Sequence, residues 1–208
     1  MNAYLIFSIN VLVLFGMIIF LDRRFHLLRD ISTASARPYS LSRVQLAWWS
    51  IIIFSAIITV IFNKGIFPTL DQSTLILLGI SSATAASARI VDLSDQNSTN
   101  TLRHQDSEKQ GFFLDILSDG NGASIHRLQT VLFNIILGGW FVSQVAKNMA
   151  NPICDINKII PVVEGNNLIF LGISTATYVA LKSSENKAQP PSGSQITAST
   201  DNSTKPQV

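Results

Sequence analysis

Residues 72–90 read QSTLILLGISSATAASARI, and residues 166–182 read NNLIFLGISTATYVALK. Each is long enough to cross the hydrocarbon core of a bilayer, which takes roughly 17–25 mostly apolar residues. Each carries the same phrase, GISSAT at 79–84 and GISTAT at 172–177, with a base five residues later, Arg89 or Lys182. Small and hydroxylated residues make a poor lipid-facing surface. A phrase of this kind written twice therefore points to a duplicated helix that packs against protein.

The duplication extends outward from the phrase. SLSRVQ at 40–45 matches SIHRLQ at 124–129, pairing Ser40 with Ser124, Arg43 with Arg127 and Gln45 with Gln129. Pro68 then pairs with Pro161, Asp71 with Glu164, Gly79 with Gly172 and Asp92 with Glu185. The offset is 84 at the start and 93 from Pro68 onward, so the second copy carries nine extra residues before Pro161, in the loop that holds Cys154. Internal self-similarity of this kind marks a repeated structural unit. Each unit reads as a helix hairpin, and an even number of spans per unit gives both copies one orientation, related by a pseudo-twofold axis along the membrane normal.

The surrounding composition agrees with a membrane setting. The chain is 47% hydrophobic and only 13% charged, against about a quarter charged in soluble domains. Three further apolar stretches, near 3–21, 45–62 and 127–146, bring the expected spans to five. The first lacks a basic leader and is followed by Arg23, Arg24 and Arg29, so it reads as a retained anchor and not as a cleaved signal. With the N-terminus outside, twelve basic residues fall in the inner segments and only Lys64, Lys147 and Lys158 in the outer loops. That asymmetry predicts an N-out, C-in topology. Trp48 and Trp49 are expected at the inner membrane interface, where indoles concentrate.

The expected organisation is an all-α integral membrane protein in five parts. These are an anchor and basic segment (1–37), a first hairpin (38–92), an inner loop with a short amphipathic segment (93–123), a second hairpin (124–185) and a disordered tail (186–208), which is too polar to bury a core. The third and fifth spans are expected at the centre of the bundle, with the other three outside.

At about 100° per residue, Gly79, Ala83 and Ser87 fall on one stripe, as do Gly172, Ala176 and Ala180. Small residues at this spacing let membrane helices approach closely. Ser81, Thr84, Ser174 and Thr177 lie on another face. Two readings of them stay open: hydrogen bonding within and between helices, or the lining of a polar path for an ion or small solute. No Asp, Glu, Lys or His falls in the middle of a span, which weakens an ion-coupled pump. Arg43 with Gln45 and Arg127 with Gln129, together with Arg89 and Lys182, form an inner-interface polar set. Asp92 and Glu185 are the candidate carboxylate partners of the arginines. Ser40 and Ser124 read as helix N-caps, and Gly138-Gly139 as a close contact or kink.

Other chemistries find little support. The lone Cys154 excludes a disulfide framework within the chain. FFLDILSDGNG at 112–122 fails as a calcium loop, because Leu117 and Leu128 would occupy its first and last ligand positions. His104, Asp115, Asp119 and His126 lack metal-ligand spacing. No metal, cofactor or catalytic residue is assigned.

The combination of S-[LI]-x-R-x-Q with G-I-S-x-A-T, and the stretch FLDILSDGNGASIHRLQ between the hairpins, resembles a group of bacterial integral membrane proteins with two such hairpins. The resemblance covers residues 38–185. Similar proteins read GISxGTYLGxK in the second copy, where this chain has GISTATYVALK, with Ala176 and Ala180 replacing glycines. The resemblance implies a fold and a membrane location. It supplies no substrate. The expected function is a non-enzymatic, multi-pass subunit or scaffold that forms a homo-oligomer or joins membrane partners, without nucleic acid. The alternative is an oligomeric channel lined by Ser and Thr of the third and fifth spans.

Overall fold

The computed structural model describes residues 3–96, 106, 109–119, 122–151 and 154–185, the side chains of Ala3 and Glu185 excepted. The expected disordered tail at 186–208, His104 and most of the 93–110 loop lie outside the described residues. So does the Glu185 side chain.

The regular structure of the described residues is helical apart from one small two-stranded ribbon. Its elements are α1 (Ala3–Phe25), α2 (Leu41–Lys64), α3 (Gln72–Gln96), α4 (Phe112–Leu117), β1 (Ser118–Asp119), β2 (Gly122–Ala123), α5 (Ile125–Ala150) and α6 (Gly165–Glu185). Helices α1, α2, α3 and α5 are long and apolar enough to cross a membrane. The fifth expected span coincides with α6, which is not one of these four. Local hydrogen bonds and backbone turns explain where these helices stop and start. Helix α1 ends where His26 turns left-handed (φ 57°) and the Asp22 carboxylate accepts the Leu28 N–H at 2.9 Å. Helix α2 ends at Gly65 (φ 70°), whose N–H donates to the Ile61 carbonyl at 2.8 Å, a left-handed cap that glycine adopts without penalty. Helix α3 begins just after Asp71, whose exposed carboxylate is held below the usual range by hydrogen bonds from Ser73.

Ser40 and Ser124 stand at the expected N-cap positions in extended conformation, but neither side chain caps its helix. The Ser40 hydroxyl instead shares a hydrogen bond with Ser42 at 3.2 Å.

The bundle centre differs from the expectation. Helix α2, not α3 or α6, is the most enclosed span: 56% of its apolar window is buried, against 28% for α3. It packs against α1, α3 and α5. The cause is side-chain size. Ile51, Ile52 and Ile53 project in three directions and are all buried, and large aliphatic groups bury more area than the small residues of α3. The core gathers Trp49, Ile53, Leu77, Phe141 and Leu171 from α2, α3, α5 and α6. Trp49, expected at the interface, is fully buried, and its indole donates to Asn134 Oδ1 at 2.7 Å. Trp48 donates to the Asn134 carbonyl at 3.1 Å. Gly138 makes that approach possible, since a Cβ there would meet the Trp48 ring at 2.5 Å, whereas Gly139 faces open space.

The end of the bundle carrying Arg23, Arg43 and Arg127 is termed the basic end. There the segment after α1 doubles back. Asp30 N–H donates to the Pro38 carbonyl at 3.0 Å and Ser40 N–H to the Leu28 carbonyl at 2.8 Å, around a bridge between Arg29 and Tyr39. Arg29 pairs with Asp22 at 3.4 Å. Tyr39 lies against the Arg29 guanidinium and the Lys109 ammonium, each 4.8 Å from its ring centroid. Helix α4 docks on this segment through Asp115, which accepts from the backbone N–H groups of Tyr39, Gln110 and Gly111.

Candidate functional site at the basic end of helices α3 and α6

Helix α3 buries Leu77, Ser81, Thr84, Ala88, Asp92 and Asp95. Those positions recur every three or four residues, the period of one helix face. The same period in α6 runs through Leu171, Ser174, Tyr178 and Lys182, all buried. Helices α3 and α6 pack together, so the last turns of these two faces bring Asp92 and Lys182 into contact. The Lys182 ammonium lies 2.9 Å from Asp92 Oδ1 and 3.2 Å from Oδ2.

A third group arrives from elsewhere in the chain. The doubled-back segment between α1 and α2 delivers Asp30, whose Oδ2 lies 3.2 Å from the same ammonium. The Lys182 side chain is 1% exposed, that of Asp92 2% and that of Asp30 10%. Burial alone would raise the Asp30 carboxyl. The Lys182 charge, with hydrogen bonds from Ser40 and Lys182, outweighs it and holds Asp30 below the ordinary carboxylate value. One turn before Lys182, the buried Tyr178 ring receives the Arg127 guanidinium at 5.3 Å from its centroid, and its hydroxyl has no hydrogen-bond partner among the described residues. Chemically, Lys182 is a cross-link. It ties α6, α3 and the 26–40 segment at one point, and its protons are directed at carboxylate oxygens.

The paired Arg–x–Gln motifs take unlike environments. Arg43 is half-buried and reaches the Leu27 carbonyl at 3.4 Å, whereas Arg127 is buried on Tyr178. Gln45 is buried with neither amide atom partnered, whereas Gln129 is exposed. Arg89, which matches Lys182 in the repeat, is exposed. Asp92 meets Lys182. Sequence reasoning placed Lys182 and Asp92 only as inner-end residues and missed Asp30. The signal for the first two was present, because both continue the three-four periodicity of the buried face by one step, from Ala88 to Asp92 and from Tyr178 to Lys182.

The small-residue stripe is also relocated. Gly79, Ala83, Ala176 and Ala180 are exposed, while Ser87 and Gly172 are half-buried. Nothing lies within 4 Å of a Cβ at Gly79, and only the tip of Ile80 approaches Gly172, at 3.9 Å. The contact between α3 and α6 is made instead by the hydroxyl-bearing face. Ser81 and Thr84 donate to the Leu77 and Ile80 carbonyls at 3.1 and 2.7 Å, and Thr175 donates to Leu171 at 2.9 Å. Each hydroxyl thus finds its acceptor on its own helix, which lets a polar face be buried without an external partner. Ser174 is buried and Thr177 is half-buried.

Compared with known proteins, the chain matches no family model, no curated protein and no solved structure.

Proposed function

We propose that this protein is a non-enzymatic subunit or scaffold of a bacterial cytoplasmic-membrane assembly. In this reading it has five spans, with α6 as the fifth, an outer N-terminus and a cytoplasmic basic end. Hairpins α2–α3 and α5–α6 are parallel repeats. The observation that carries the reading is the outward face of α3. Gly79, Ser82, Ala83 and Ala86 are all exposed there, forming a shallow strip where another helix can approach closely. The buried ionic cluster supports the scaffold part, because its ammonium is committed to internal carboxylates that hold three segments together.

The hydroxyls of Ser81 and Thr84 favour packing over a polar path, since both donate to backbone carbonyls of their own helix. Replacing Gly79 with Leu tests the assembly claim. The variant chain is expected to elute smaller than the wild type after mild detergent extraction, with its melting temperature retained. An unchanged elution volume refutes the claim. Planar-bilayer recording tests the channel alternative: a silent bilayer across voltages and salts is expected, and reproducible unitary currents would favour conduction.

A further inference from the structure

At the basic end, a cavity lies between α1 and helices α2, α4 and α5. Phe7 and Val11 pack into the core and Asn10 donates to Thr59 at 2.9 Å. One turn further on, Phe15, Ile18 and Ile19 face this cavity of about 530 Å³. Helix α2 supplies Val44, Gln45 and Trp48 to its walls, α4 supplies Phe112 and Phe113, and α5 supplies Ile135. The volume falls in the range of small-molecule sites, which are mostly apolar with a few placed polar groups. From Phe15 to Arg23 the cavity runs about 12 Å along α1, at 1.5 Å per residue.

The polar groups are not spread evenly. Asp22, Arg23, Tyr39 and Gln45 line the basic-end part of the wall, and the other polar lining residue, Asn134, has its side chain engaged by the Trp49 indole and the Thr130 carbonyl. Asp22 is occupied by the Leu28 N–H and Arg29. Gln45 is 3% exposed, and both its amide oxygen and its nitrogen lack partners among the described residues. Buried amides are ordinarily hydrogen-bonded, so an unpaired one on a cavity wall points to a ligand with ester or hydroxyl groups at that depth. Arg23 is exposed at the rim, where a guanidinium suits a phosphate. Phe113 and Leu114 of the adjoining α4 are exposed beside it, as expected of a segment lying among lipid headgroups.

We propose that this cavity binds one phospholipid of the surrounding leaflet. An acyl chain fills the space between α1, α2, α4 and α5. The glycerol-ester region meets Gln45, and the phosphate meets Arg23. The site is independent of the assembly strip on α3.

Native mass spectrometry of the full chain in detergent, titrated with phosphatidylglycerol or phosphatidylcholine, tests the site. The wild type is expected to retain one phosphatidylglycerol per chain. Val44→Trp, which fills the cavity, is expected to lose it. Should Val44→Trp fail to fold by circular dichroism, Ile135→Trp fills the same space from α5. Arg23→Gln is expected to keep lipid binding but to bind phosphatidylglycerol about tenfold less tightly, the size of one charge-assisted hydrogen bond. Three results would overturn the proposal: a wild type that retains no phospholipid, a cavity-filling variant that retains as much as the wild type, or detergent that holds the site with no phospholipid displacing it.

Discussion

Replacing Lys182 with Met removes the cation at the junction of α3, α6 and the 26–40 segment while keeping a long apolar stem. The Asp30 and Asp92 carboxylates, 3.2 and 2.9 Å from the ammonium, are then left buried with like charges together. Breaking a buried ion pair on one side costs about 3–5 kcal/mol, because the remaining charge loses its compensation. For a chain of this size each kcal/mol moves the melting temperature by roughly 2–4 °C, so a fall of roughly 6–20 °C is expected. A solvated surface pair would cost about 1 kcal/mol or less, so the two situations are well separated. Thermal unfolding followed by helix circular dichroism in detergent measures the difference. A second variant isolates the cause. With Lys182→Met, Asp92→Leu and Asp30→Asn combined, no uncompensated charge remains, and stability is expected to return to within about 2 kcal/mol of the wild type. A Lys182→Met chain that melts within about 2 °C of the wild type would refute the reasoning, since it would place the ammonium in water.

The same junction predicts a pH response. Asp30 is held below its ordinary value when folded, so its contribution is complete above the unfolded carboxylate pKa of about 4 and is lost as pH falls through the lower folded value. The stability gap between wild type and Asp30→Asn should therefore persist down to about pH 4 and close below it; a gap already lost at neutral pH would count against the assignment. Gly138→Ala should destabilise by about 1–3 kcal/mol, because its Cβ would overlap Trp48, whereas Gly139→Ala, with open space around it, should be neutral or mildly stabilising on denaturant titration. Asn134→Leu should cost about 1–3 kcal/mol by orphaning the buried Trp49 indole, with an accompanying shift in tryptophan emission; unaltered emission and stability would argue against that bond.

The helices were legible because apolar runs of bilayer length dominate the chain. The expected stretches 72–90 and 127–146 fall within α3 (Gln72–Gln96) and α5 (Ile125–Ala150). The structure extends α3 at the basic end by six residues, 91–96, a polar turn that a hydrophobicity reading discards, and α5 by two residues there and four at its other end. The extra turn of α3 holds Asp92, one of the two carboxylates that meet Lys182. Which face of α3 turns inward was misread for a physical reason. Spacing identifies both a small stripe and a hydroxyl stripe, but does not say which is buried. The hydroxyls can go inside because each reaches a carbonyl one turn back, as Thr84 does at Ile80. Asp30 was beyond sequence reasoning altogether. It lies 152 residues from Lys182, in a connecting segment whose return is set by single hydrogen bonds such as Ser40 to Leu28. Gln45 illustrates the opposite limit: its repeat partner Gln129 is exposed, so equivalence in sequence did not imply equivalence in environment.

The central claim is that this bundle assembles through the outward face of α3. The mass of the purified protein in lipid nanodiscs tests it most directly. A particle containing two or more 22.8 kDa chains, or one chain with a stoichiometric membrane partner, is the predicted result, with Gly79→Leu reduced to a single chain. A wild type that enters nanodiscs as one 22.8 kDa chain without a partner would contradict the account.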